Sequence, residues 1–296
     1  TDTTNPMLMT VAGSVTIDDI EFDDMLGVEI DINSFTMTDI TNPNVTLQET
    51  IAISDVDSQN GAAEGLLLQN THDNRTATIS NYLNGSAGTA GSGGGNLTTG
   101  VLAFRSTGAD TFEGNVTLTN IDIFANTGFA LHFEDIDDAA AVTITNNNGL
   151  TYNGLAGTAG GMRFDGFNGM LTGNSSMLSN GTLAGVSVIG TSDGTINLTS
   201  TVTFDSIDAT VIDVGPNLAD SFTGSLTVSG AITAHDTGRL VSIQRLGDST
   251  AAVTLTGAMT DVANAASQGI FVGNNVDGTV LFSGILMVDT TNNNAI

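Results

Sequence analysis

Short alternating stretches of the Val-Thr-Leu-Thr kind recur along this chain, and their spacing is the strongest constraint on its fold. Val116-Thr117-Leu118-Thr119, Val142-Thr143-Ile144-Thr145 and Val253-Thr254-Leu255-Thr256 are the clearest copies. Related stretches begin at Val15, Val45, Ala77, Leu171, Ile196, Leu226 and Val280, so that successive starts lie 25 to 39 residues apart. In such a stretch residues i and i+2 share one face, so Val and Leu turn toward a core while Thr turns toward solvent. A second family of apolar stretches follows a glycine, at Gly27-Val28, Gly65-Leu66, Gly100-Val101, Gly128-Phe129, Gly161-Met162, Gly185-Val186, Gly238-Arg239 and Gly269-Ile270. The stretch near Ala209-Thr210-Val211 lacks that glycine.

Two interleaved strand families with one rough period are the signature of coils stacked into a solenoid. The expected fold is all-β: a right-handed parallel β-helix of about ten coils, forming a single domain over residues 1–296. Inward side chains stack on their counterparts about 4.8 Å away in the next coil. An antiparallel β-sandwich is the competing reading, since it also uses short strands separated by turns. Its Asn-Gly hairpin signals are not regularly placed here, whereas the longer period is. Two glycine-rich insertions, 85–100 (GSAGTAGSGGGNLTTG) and 154–161 (GLAGTAGG), read as loops of equivalent coils. No Lys follows either, so neither is a phosphate-binding P-loop. Only Asp261 to Gln268 is compatible with helix.

Composition narrows the function. The chain carries 32 acids against five basic residues, for a formal charge of −27. Such a charge repels nucleic acid, so no nucleic-acid partner is expected. No stretch approaches the length of a membrane-spanning helix, so no membrane insertion is expected. There is no Cys, which excludes disulfides, thiolate metal sites and thiol nucleophiles.

Gly114 to Asp135, GNVTLTNIDIFANTGFALHFED, resembles the right-handed parallel β-helix repeats of large bacterial surface proteins. These include filamentous haemagglutinin-like adhesins, autotransporter passengers and β-strand-repeat exoproteins. The resemblance implies export and an extracellular or cell-surface location. It also implies a structural or adhesive role, as a stiff rod in a surface layer, filament or adhesin stalk. It supplies no functional residue. The chain is expected to begin and end mid-coil, with Met7 to Val11 read as a second strand ahead of Val15. End-to-end self-association, or further coils of a longer chain, is therefore the expected partnership. The alternatives are a polysaccharide-active β-helix enzyme and an adhesin that binds a receptor through the two glycine-rich loops.

No catalytic, cofactor-binding or metal-binding residue can be assigned from the sequence. His72, His132 and His235 lie on different coils, and His132 reads as a surface residue beside inward Leu131 and Phe133. Asp18, Asp19, Asp23 and Asp24 cluster, as do Glu134, Asp135, Asp137 and Asp138, but an Asp-rich chain produces such clusters by composition. Arg75, Arg105, Arg163, Arg239 and Arg245 are scattered, and Trp is absent. No enzyme activity is expected. No cofactor is implied, and Ca²⁺ is expected only as a loosely bound counterion. Outward Thr pairs at 117/119, 143/145 and 254/256 suggest an ice-binding row. The intervening LTGN, INLT and LTVS stretches break that row, so ordinary surface Thr is expected. Eight Asn-x-Ser/Thr sequons occur, at Asn44, Asn74, Asn84, Asn96, Asn115, Asn174, Asn180 and Asn197.

Overall fold

The computed structural model describes residues 7–10, 14–23, 28–33, 49–59, 63–71, 75–85, 100–107, 111–123, 128–145, 150–151, 160–174, 177–179, 183–199, 202–204, 210–235, 238–262 and 268–288. Most of each glycine-rich insertion lies outside these residues. Among the described residues there is no helix. Asp261 and Val262 end one strand and Gln268 begins another.

Every described ladder is parallel, which rules out the antiparallel sandwich. Two ten-stranded sheets run the length of the stack, and a six-stranded third sheet covers its later rungs. The first contains Val15–Asp23, Glu49–Gln59, Arg75–Asn84, Asn115–Ile123, Ala141–Thr145, Met170–Gly173, Thr195–Leu198, Ser225–Val228, Ala252–Leu255 and Thr279–Phe282. The second contains Met7–Thr10, Ile30–Asn33, Leu66–Gln69, Gly100–Arg105, Phe129–Glu134, Gly160–Asp165, Val186–Ile189, Ile212–Val214, Arg239–Gln244 and Gln268–Gly273. The third has Leu150–Thr151, Met177–Ser179, Val202–Phe204, Ile232–His235, Met259–Val262 and Leu286–Met287. In each of the first two sheets the strands follow one another in sequence order, which makes the chain a parallel β-helix of ten rungs.

Nine of the ten first-family starts fall in a single ladder column. Ala77, Val116, Val142, Leu171, Ile196, Leu226, Val253 and Val280 are successive neighbours. The exception is the second rung, where Ile51 rather than Val45 stands between Val15 and Ala77. The reason is the corner four residues further on. Asp19, Asp55, Asn81 and Asn120 all adopt positive φ, between 52° and 56°. Among non-glycine residues Asn and Asp tolerate that left-handed conformation best. Starting the rung at Val45 would put Glu49 at the corner; starting it at Ile51 puts Asp55 there.

This corner also accounts for the third face, which the two-family reading missed. In the first four rungs one long strand turns through the Asx residue and continues onto that face. Ile20, Val56, Tyr82 and Ile121 then form one column. Side chains beside the bend bond from rung to rung, with Asn120 Nδ2 donating to Asn81 Oδ1 at 3.1 Å and Asn81 Nδ2 to Asp55 Oδ1 at 3.0 Å.

The interior is a set of apolar columns. Leu68, Phe104, Phe133, Phe164, Val188, Val214 and Ile243 are consecutive neighbours in the second sheet and are all buried. Phe104, Phe133 and Phe164 stack with centroids 5.2 and 5.4 Å apart and nearly parallel planes. Phe112 and Phe167 close the corner between the second and first sheets, edge-on to that stack. Phe serves this dry interior because its ring carries no polar tip needing a partner.

Candidate functional site

Three places depart from the generic coil. The first is the outward side of the second sheet, where His132 stands between Ala103 and Arg163 on neighbouring strands. His132 does point outward, but it is 3% exposed, which corrects the expectation of a surface histidine. Leu67, Ala103, Ser187 and Ser242 in the same column are buried too, so this side of the sheet is covered rather than solvated. Burial, with the charges of Arg163 and Arg105 next, pushes the His132 pKa down to about 3. The imidazole is therefore neutral at ordinary pH and shielded from solvent. Its neighbours form an ion network. Arg105 reaches Glu64 at 3.0 Å and Glu134 at 4.0 Å, and Arg163 reaches Asp165 at 3.0 Å. Arg163 also lies over the Phe129 ring, 5.7 Å from its centroid. Burial raises the Glu134 pKa, and Arg105 opposes that rise. Arg105 joins neighbouring rungs through Glu64 and Glu134, the Arg163–Asp165 pair lies within one strand, and both compensate partly buried charge.

The second place is a cleft of about 500 Å³ at the corner after the second strand, lined by Asp135, Asp137, Asp165, Ser106, Thr111 and Asn168 among others. Burial and the neighbouring Asp165 raise the Asp135 pKa. Among the described residues, no Arg, Lys or His lines the cleft. Among the described residues no three His, Asp or Glu side chains are grouped to hold a metal ion. The acids at Asp18, Asp19 and Asp23 lie along one outer strand, where Asp18 accepts a hydrogen bond from Ser54. Asp24 and His72 lie outside the described residues, as does the side chain of His235.

The third place is the outward side of the first sheet. The ladder register puts Thr78, Thr117, Thr143, Thr172, Asn197, Thr227 and Thr254 in one column. Two residues along each strand lies a second column of Ser80, Thr119, Thr145, Asn174, Thr199, Ser229 and Thr256. Pairing between strands and backbone bonds hold it together, with Asn174 N to Ile144 O, Thr199 N to Gly173 O, Ser229 N to Leu198 O and Thr256 N to Val228 O. None of LTGN, INLT and LTVS supplies a T-x-T pair, so the Thr row itself is broken, but short polar residues keep the columns going. In LTGN, INLT and LTVS the outward positions are Thr172/Asn174, Asn197/Thr199 and Thr227/Ser229. The hydroxyls bond between rungs as well, Thr119 to Thr145 at 3.2 Å and Ser225 to Thr195 at 3.2 Å.

Of the sequons, Asn84 is fully buried and accepts a hydrogen bond from Ser58 at 3.0 Å, so the folded chain cannot carry a glycan there. Asn115 and Asn174 are exposed and Asn197 is half-buried; Asn44, Asn74, Asn96 and Asn180 lie outside the described residues.

Comparison with known protein families, with curated proteins and with solved structures finds no match.

Proposed function

We propose that the chain is a rod-forming segment of an extracellular or cell-surface structural protein, in a layer, filament or adhesin stalk, and that it performs no catalytic step. The observation that supports this reading is the unbroken stacking of ten strands in each of two sheets. Each rung's backbone bonds to the next, so the stack resists bending and stretching along its axis. Ten rungs at about 4.8 Å give a rod on the order of 45 Å long. The resemblance to bacterial surface repeats and the acidic, Cys-free composition agree with an exported protein.

The last described rung leaves Val272 and Leu286 exposed, although their ladder partners one rung earlier, Ile243 and Met259, are buried. Apolar side chains at the end of a parallel stack are the natural seat for a further rung. A second copy or a neighbouring segment of the same polypeptide would supply it. Negative-stain electron microscopy over a range of concentrations tests this. Rods that lengthen with concentration are expected, and a Val272→Lys, Leu286→Lys double variant should stop at single units. Compact particles at every concentration, alike for both proteins, would contradict it.

A further inference from the structure

We propose that the outward side of the first sheet is an ice-binding surface: its hydroxyl columns hold water in an array that an ice lattice can share. Charge carries the first part of the argument. The chain has 32 acids, yet eight consecutive rungs of this sheet, from Thr76-x-Thr78-x-Ser80 to Thr279-x-Leu281-x-Ser283, have no charged residue at any outward position. Charged neighbours such as Asp138, Asp193, Asp248 and Asp277 belong to the corner loops instead. A strongly anionic rod thus keeps one face neutral. The partner that fits is neutral and extended, because a charged one would be met or repelled by the other faces.

The chemistry of the face narrows the choice. Its residues are mainly Thr, with Ser, Asn and Ala and only two larger apolar side chains, Met170 and Leu281, on the sixth and tenth rungs; the aromatic rings that stack on sugars are inside, as in the Phe104, Phe133 and Phe164 column. Protein interfaces favour aromatic residues, Met and Arg and are depleted in Ser. A sugar polymer or a second copy of the chain would therefore find little to bind. Water finds paired donors and acceptors beside methyl groups. The spacing agrees. Adjacent rungs are about 4.8 Å apart and alternate residues about 6.6 Å apart along a strand. In a tetrahedral water lattice with O–H···O contacts near 2.75 Å, second-neighbour oxygens lie about 4.5 Å apart. Outward hydroxyls that are not already bonded to one another can thus anchor water near the positions it takes in ice, while the Thr119–Thr145 and Ser225–Thr195 pairs, at 3.2 Å, each present one joint anchor.

The face is also pre-ordered. Thr is restricted at χ1 by its branched β-carbon, and inter-rung hydroxyl bonds fix the rotor further. A rigid array gives up little entropy when a lattice forms on it.

The test is ice partitioning of the purified chain during slow freezing, together with the gap between melting and growth temperatures. The chain should concentrate in the ice and open a measurable gap. Thr143→Lys and Thr172→Lys should each abolish most of both effects, and Thr172→Val should reduce them without adding charge. Leu218→Lys, at a residue 88% exposed and away from this face, should leave them unchanged. Circular dichroism melts establish that each variant is folded. Exclusion of the wild-type chain from ice would overturn the proposal, as would equal partitioning of wild type and the Thr variants. A dimer, or retention on insoluble cellulose or chitin, that is lost in Thr143→Lys while ice partitioning is absent would assign the face to that partner instead.

Discussion

A β-carbon added at Gly65 would lie 1.9 Å from the hydroxyl oxygen of Tyr82. The two residues meet inside the third rung, beside the buried Glu29. Burial first, then the Glu29 charge, hold the Tyr82 pKa well above its ordinary value. Gly65→Ala should therefore destabilise the fold by about 1–3 kcal/mol, the usual range for overpacking. Adding Tyr82→Phe removes the clashing oxygen and leaves the ring carbon 3.2 Å from the new methyl. Urea denaturation of the single and double variants should show partial recovery; additive losses would contradict the contact.

The middle ring of the Phe104–Phe133–Phe164 stack touches both neighbours and also lies edge-on to Phe167. Phe133→Ala should cost about 3–5 kcal/mol and Phe133→Leu less, since Leu refills part of the cavity. Denaturant midpoints measure both. A loss below about 1 kcal/mol for Phe133→Ala would mean that the column is not packed as described.

His132 gives the fold a dependence on acid. Native His132 stays neutral down to about pH 3. The unfolded chain binds that proton below about pH 6.5. Its contribution is thus fully present above pH 6.5 and is lost as pH falls toward 3. Between pH 7 and 4 the wild type should lose more stability than His132→Asn, by on the order of a few kcal/mol. The carboxylates titrate in both proteins, so the comparison isolates the imidazole. Equal losses would show that His132 titrates normally.

Asn81 combines a left-handed backbone with two side-chain bonds in the Asx ladder. Asn81→Ala should cost about 1–2 kcal/mol from the backbone conformation alone. Asn81→Gly should cost less, because glycine accepts that φ. If thermal melts rank the two variants the other way, the corner is not left-handed.

The first sheet was legible in the sequence because its strands alternate cleanly, as at Val116–Thr119, and sit at one ladder position per rung. Even Leu171, in the glycine-containing LTGN, falls into register. The second sheet was legible only as a family. Its guiding glycines belong to different columns: Gly65, Gly161, Gly185 and Gly269 precede the inward residue directly, whereas Gly100 and Gly128 stand earlier in the strand. The third face was hidden for two reasons. Strands such as Leu150–Thr151 and Leu286–Met287 are too short to alternate. In the first four rungs the face is the far half of a longer strand, past an Asx corner that looks like a loop residue. The burial of His132 was hidden because alternation gives a side chain's direction but not what covers it. The hydroxyl face was hidden by reading T-x-T literally, because Asn and Ser share its columns with Thr, as at Asn197 and Ser229.

The central claim is the register that aligns these columns, and the absence of native Cys allows it to be tested directly. Thr143 and Thr172 are ladder partners on adjacent rungs and face outward together. Neighbouring strands place such Cα atoms about 4.8 Å apart, within the range of about 4.4–6.8 Å that a disulfide spans. Under mild oxidation the Thr143→Cys, Thr172→Cys protein should form an intramolecular cross-link, located by peptide mass mapping. A Thr143→Cys, Gly173→Cys protein should not, because position 173 faces the interior. A cross-link only in the second protein would contradict the register, and with it the solenoid stacking and the hydroxyl face.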